Sequence, residues 1–147
     1  MESSTNEVYF IVEGEAVGKQ RPRFSRVGGF VKAYTPAKTA KYEEKVKACY
    51  LDECRYQPMR WANKEPLEMI VNAYFEIPKS ASKKNKLEML MNGRPTKKPD
   101  ADNILKAVAD SLNGVAFHDD SQIVSARVSK YWSETAKTEI TIREVQR

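Results

Sequence analysis

The chain has 147 residues, 25 Lys and Arg against 20 Asp and Glu, and a formal net charge of +5, with 41% hydrophobic and 31% charged residues. That length suits a single domain (residues 1–147) that buries its own core without disulfide or metal staples. No apolar run approaches the ~18 residues of a membrane span, and Met1–Glu7 lacks a hydrophobic signal core, so a cytoplasmic protein with no membrane partner is expected.

Residues 1–7, polar after Met1, are expected to be flexible. Val8–Val12 is an apolar, β-branched run and reads as a first strand. Arg23–Val27 and Phe30–Tyr34 form two arms of a hairpin around Gly28-Gly29, alternating aromatic or aliphatic residues with basic and polar ones. Thr35-Pro36 supplies helix-start chemistry, a cap followed by proline at the first helical position. The helix should reach about Arg55, burying Tyr42, Val46, Cys49 and Tyr50. Cys49 and Cys54, five apart on a helical pattern, point in different directions, and a chain with one histidine and no CxxC does not suit zinc.

Trp61 falls in an irregular connection bounded by Pro58 and Pro66. Leu67–Ile77 alternates Met69, Val71, Ala73 and Phe75 with other residues and predicts a strand. Ser80 or Ser82 can cap a short lysine-rich helix through Met91, which Asn92-Gly93 stops. Asp102–Asn113 is the best-defined helix, with Ile104, Leu105, Val108 and Leu112 as its apolar stripe and Asn113-Gly114 as its end. Two strands follow, near Ile123–Trp132 and Lys137–Val145, read as antiparallel neighbours. The expected fold is α+β: a small mixed β-sheet with helices packed mainly on one face. Tyr9, Phe10, Tyr74, Phe75 and Trp132 are read as core.

Charge is unevenly spread. Gly14–Tyr34 carries Lys19, Arg21, Arg23, Arg26 and Lys32 against Glu15 alone; Lys79–Lys98 carries Lys79, Lys83, Lys84, Lys86, Arg94, Lys97 and Lys98 against Glu88 alone. Between them and the C terminus, Pro99–Gln122 holds Asp100, Asp102, Asp110, Asp119 and Asp120 with Lys106 as the sole cation. Either lysine run taken alone reads as a solvated loop. Together they suit a polyanion held over a metal bound by the aspartates, with Lys19, Arg21, Arg23, Arg26, Lys83, Lys84, Lys97 and Lys98 as DNA-binding candidates. Phe24, Phe30 and Tyr34 have a claim to the same contact.

Asp100 and Asp102 would diverge by about 200° on a helix but share a side in an extended stretch. Taken alone, Asp102 is a helix cap, and Lys106 with Asp110 an intrahelical pair. Capping does not explain Asp100 beside it, or the second pair Asp119-Asp120. Crowded carboxylates shift toward protonation unless a cation compensates, and Mg²⁺ suits them because it also keeps waters and binds phosphate. Lys106 is placed to orient a phosphate or balance developing charge. The residues thus read as a metal-dependent phosphodiesterase acting on nucleic acid. His118 reads as a solvated loop residue.

Pro99-Asp100-Ala101-Asp102-Asn103-Ile104-Leu105-Lys106, Asp110, Leu112-Asn113-Gly114 and Asp119-Asp120-Ser121-Gln122-Ile123 together resemble the RusA family of Holliday junction resolvases, whose pattern is DxDNxxK followed by DD(S/A)Q(I/V). Gly18–Phe24 and Tyr34-Thr35-Pro36 resemble the longer members found in phages and prophages, and the similarity runs from about Val12 to Ile142. The resemblance implies a homodimeric, RusA-like, Mg²⁺-dependent endonuclease (Mn²⁺ as a substitute) that nicks four-way DNA junctions in pairs. It maps metal-binding and catalytic roles onto Asp100, Asp102 and Asp120 and a catalytic lysine onto Lys106, with Asp110 and Asp119 as supporting or structural residues. Lys79–Lys98 is longer and more basic than in compact members. Cleavage of flaps, forks or other branches, and non-catalytic junction binding, remain open alternatives.

Overall fold

The strand β4 (Leu67–Glu76) organises the molecule. Its alternation places Leu67, Met69, Val71, Ala73 and Phe75 in the core, all fully buried, and leaves the intervening residues half-exposed on the opposite face. A computed structural model of the protein describes residues 6–20, 23–34 and 36–145. Around β4 the other strands β1 (Glu7–Glu13), β5 (Ile123–Ser133) and β6 (Lys137–Glu144) form one mixed sheet in the order β1-β6-β4-β5. The pairs β1–β6 and β6–β4 are antiparallel and β4–β5 is parallel. Phe10, Ile140, Val71 and Val128 lie in one row across it.

The helices α1 (Ala37–Glu53) and α3 (Ala101–Leu112) cover the apolar face. α1 contributes Thr39, Tyr42, Val46 and Tyr50 at helical spacing. From α3 come Ile104, Ala107, Val108, Ser111 and Leu112, also buried. Trp61 and Phe117 fill the same core from connecting segments that pair as an isolated parallel bridge. Burying each such side chain is worth about 1.5–3 kcal/mol relative to exposure, so this face sets the fold. The mixed α+β architecture is the one expected.

The strands β2 (Arg23–Val27) and β3 (Phe30–Tyr34) form a separate two-stranded sheet, closed by Gly28 and Gly29 with positive φ. Short turns of this geometry need φ > 0, which glycine adopts without strain. The helix α2 (Lys83–Asn92) is capped by Ser82, whose Oγ accepts from the Asn85 N–H at 3.1 Å, and contains no buried residue.

Several expectations need correction. β5 and β6 are not neighbours, because β4 lies between them. The connection Glu134–Ala136 only has to cross about 10 Å, two strand spacings, which an extended chain of that length reaches. The more apolar β4 thereby gains a partner on each side. Helix α3 begins one residue before Asp102: Asp100 occupies the N-cap and Asp102 lies in the first turn. α1 starts at Ala37 with Pro36 at the cap position; the expected cap, Thr35, lies outside the described residues. Leu105 and Cys49 are only partly buried, and Tyr9 is exposed on the outer sheet face, donating from its hydroxyl to Glu139. Glu7, expected in a flexible leader, opens β1, and Asn6 donates to Glu144 at 2.8 Å.

Candidate active site

The two acidic motifs enter the site from rigid ground. The buried stripe of α3 locks one face of that helix on the core, and the opposite face carries Asp102 and Lys106. The chain leaves α3 through Gly114, whose φ of 74° closes a tight loop in which its N–H donates to the Phe117 carbonyl at 2.9 Å. It then forms a short 3-10 turn, Asp120–Gln122, before entering β5.

Gln122 fastens that turn. Its side chain is nearly buried; Nε2 donates to the Trp61 and Glu65 carbonyls, both at 3.1 Å, and Oε1 accepts from the His118 and Asp119 N–H groups at 2.8 and 3.0 Å. Asp119 completes a capping box by accepting from the Ser121 N–H at 2.9 Å. Hydrogen bonds from Ser121 hold the Asp119 carboxyl below its ordinary range. Asp119 is thus a cap that aims its neighbour Asp120. Sequence reasoning gave Gln122 no task, although the Asp-x-x-Gln spacing of a capping box was present. His118 is exposed and engaged through its backbone.

Asp102, Leu105, Lys106 and Ala109 of α3 line a cleft together with Asp120 and the first residues of β5, Ile123–Ala126. A register shift between Leu67 and Glu68 leaves Val124 unopposed on β4, and this residue stands 61% exposed at the lip. Such bulges re-aim side chains and recur beside active sites. Among the described residues, the carboxylates of Asp102 and Asp120 accept no hydrogen bond and form no ion pair within the protein. Asp100 is exposed at the N-cap, makes no capping hydrogen bond, and lines a second cleft with Lys38, Lys98 and the Glu15–Gln20 segment. The N-terminus of α3 therefore stands between two hollows, with Asp102, Lys106 and Asp120 in one and Asp100 in the other. Lys38 went unnoticed in the sequence. A lysine in a helix's first turn opposes the helix dipole, and that was the available signal.

The donor set fits a hard divalent cation in part. Mg²⁺ takes one or two carboxylates and completes its shell with water and phosphate oxygens, which two solvent-facing, unpartnered aspartates in one cleft allow. No three His, Cys, Asp or Glu side chains converge into one metal-holding group among the described residues.

The cations sort into distinct environments. Lys83 and Lys84 are exposed at the start of α2, Lys98 at the rim of the Asp100 cleft, and Arg26 on the hairpin beside exposed Phe24 and Phe30. Arg23 opens β2, while Arg21 lies outside the described residues. Lys97 folds back over the Phe75 and Trp132 rings and approaches Glu15 at 4.0 Å. Lys19 also turns inward, pairing with Glu43 at 2.7 Å and Asp110 at 3.3 Å. Burial alone would lower its pKa, but these two carboxylates outweigh it and hold the ammonium above its ordinary value. Asp110 is shared: its Oδ2 lies 4.0 Å from Lys106 Nζ.

No helix among the described residues is long and apolar enough to cross a membrane. Over 141 residues the chain is 41% identical to the uncharacterized protein YqaN of Bacillus subtilis (strain 168), covering 94% of this chain and 96% of that protein. Residues 13–143, which hold both acidic motifs and the strands β4 and β5 beside them, match the family Endodeoxyribonuclease RusA. The chain belongs to the RusA family of endodeoxyribonucleases, enzymes of Holliday junction resolution.

Proposed function

We propose that this protein resolves four-way DNA junctions in recombination and repair by divalent-metal-dependent hydrolysis, acting as a homodimer that makes paired nicks. The observation that carries this reading is the cleft in which unpartnered Asp102 and Asp120 face the same space as Lys106. Asp102 and Asp120 would hold Mg²⁺, or Mn²⁺ in its place, with Asp100 approaching from the neighbouring cleft. Bound there, the metal supplies Lewis acidity toward the phosphodiester and a water of lowered pKa.

The chain's own groups do the rest. Lys106, 62% exposed at its side chain, lines the cleft with a cation suited to orienting the phosphate and balancing charge that builds in the transition state. The Asp119–Gln122 capping box keeps Asp120 from drifting, which matters because small misplacements of reacting groups are costly. Arg26, Lys83, Lys84 and Lys98, together with Arg21 and Arg23, supply a backbone grip that should weaken steeply with salt. Opposite strands must be cut before the junction falls apart, so two sites related by a two-fold axis are required. The position of β5 at an edge of the sheet and the exposed Leu87, Leu90 and Met91 of α2 favour a second copy as partner.

Single-turnover cleavage of a synthetic four-way junction, with forked and linear DNA as competitors, tests the reading. Asp102→Asn and Asp120→Asn should each slow cutting by roughly 10²–10³-fold, the loss typical of removing a transition-state charge stabiliser, with junction binding retained. Cutting by both variants at the wild-type rate sinks the assignment.

A further inference from the structure

Lys19 is enclosed between α1 and α3, unlike the exposed basic residues around it. Residues 14–20 cross the start of α3 at close range. A Cβ at Gly18 would stand 2.7 Å from Pro99 Cβ and 3.2 Å from Asn103 Cβ, so only glycine fits there. The next residue donates its backbone N–H to the Asn103 carbonyl at 2.9 Å. This clasp fixes where the Lys19 side chain departs, beside the DxDN motif.

The Lys19 ammonium then lies between Glu43 of α1 and Asp110 of α3, with only 18% of its side chain exposed, against 17% and 21% for the carboxylates. Asp110 has two suitors. Lys19 holds its Oδ2 at 3.3 Å, and Lys106, one helical turn earlier, stands at 4.0 Å. A carboxylate already satisfied by one enclosed cation has little reason to draw in a second, exposed one. Without Lys19, two poorly solvated carboxylates would face each other, and Lys106, already 4.0 Å from Asp110, would be drawn to it.

We propose that Lys19 is a positioning residue, which occupies Asp110 and so keeps the Lys106 ammonium free to reach the phosphate in the cleft. The proposal rests on the reading of Lys106 as the phosphate's partner. It distinguishes Lys19 from the surrounding basic residues: Lys19 acts on the rate, and they act on affinity.

Four proteins test it: wild type, Lys19→Met, Lys19→Arg and the double variant Lys19→Met/Asp110→Asn. Each is measured for melting temperature, four-way-junction affinity across salt, and single-turnover cleavage in Mg²⁺ at saturating enzyme. Lys19→Met should cut about tenfold more slowly, as expected for a side chain coupled to a catalytic neighbour, with affinity and salt slope unchanged. Lys19→Arg should keep most of the rate. Adding Asp110→Asn to Lys19→Met should recover it, because the carboxylate that captures Lys106 is gone. A DNA contact predicts the reverse: weaker binding, a salt slope smaller by about one, and a normal rate at saturation. A purely structural ion pair predicts a lowered melting temperature and no recovery in the double variant. Either of those results overturns the proposal.

A readout independent of cleavage is the Lys106 ammonium resonance in ¹⁵N-detected NMR, assigned with Lys106→Arg. It should move in Lys19→Met and return in the double variant; an unmoved signal also overturns the proposal. Should wild type cut no branched DNA at all, the function assigned above fails, while this signal still decides the role of Lys19.

Discussion

The acidic cleft and the basic periphery are built by opposite means. Asp102 and Lys106 ride on a helix whose other face is buried from Ile104 to Leu112, and Asp120 leaves a turn bolted by Gln122 to two backbone carbonyls across the chain. The β2–β3 hairpin pairs with itself in a sheet apart from the main one, and α2 buries nothing. Groups that act on one phosphate must be held to fractions of an ångström, and only close-packed ground does that. Groups that grip a polyanion through charge tolerate slack, so they sit on exposed elements.

Large core truncations should separate the two regions first. Trp61→Ala or Leu112→Ala, both at fully buried positions, should cost about 3–5 kcal/mol by chemical denaturation and take cleavage down with stability. Phe30→Ala, at a side chain 78% exposed, should leave stability within about 0.5 kcal/mol while weakening junction binding. A destabilised Phe30→Ala would show that the hairpin is packed and break the contrast.

Gln122→Ala is the next largest. It strands four backbone groups and should cost about 1–3 kcal/mol. Its cleavage rate should also fall at temperatures where the protein is fully folded, because Asp120 loses its anchor. A rate that tracks only the folded fraction would remove Gln122 from the site. Lys83→Gln with Lys84→Gln should keep the rate at saturation and lower the salt slope by roughly 0.9 for each phosphate left without its cation.

The smallest effect is in acid. Ser121 holds the Asp119 carboxyl below its ordinary value of 3.8, so its contribution to stability is complete above that pH and disappears as pH falls through the lower folded value. Asp119→Asn keeps a capping side chain but cannot titrate. Its stability should therefore fall less than that of wild type between about pH 5 and pH 2 in denaturant titrations.

Much of this design was legible in the residues. β4 and α3 announce themselves because a period of 2.0 or 3.6 in apolar residues dictates which face is buried. Ser82 and Gly93 likewise mark the ends of α2 through local chemistry. Strand adjacency was not legible. Periodicity tells a strand which way to face but not whom to pair with, and β6 skipped over β4 through a short connection. The grouping of Asp102, Lys106 and Asp120 followed from motif order. The separation of Asp100 into the adjoining cleft depends on where the N-cap falls, a matter of one residue. The ion pairs of Lys19 were illegible for a related reason: in sequence it stands among arginines, and only the fold brings Glu43 and Asp110 to it.

The function proposed for the Asp102–Lys106–Asp120 cleft is cutting of branched DNA with a divalent metal. End-labelled four-way junctions incubated with wild type and Asp120→Asn across Mg²⁺, Mn²⁺, Ca²⁺ and chelator test it most directly. Symmetric nicks on opposite strands are expected in Mg²⁺ or Mn²⁺, with no cutting in chelator and an Asp120→Asn protein that binds the junction but leaves it whole. Equal cutting in chelator, or by Asp120→Asn in Mg²⁺, would contradict it.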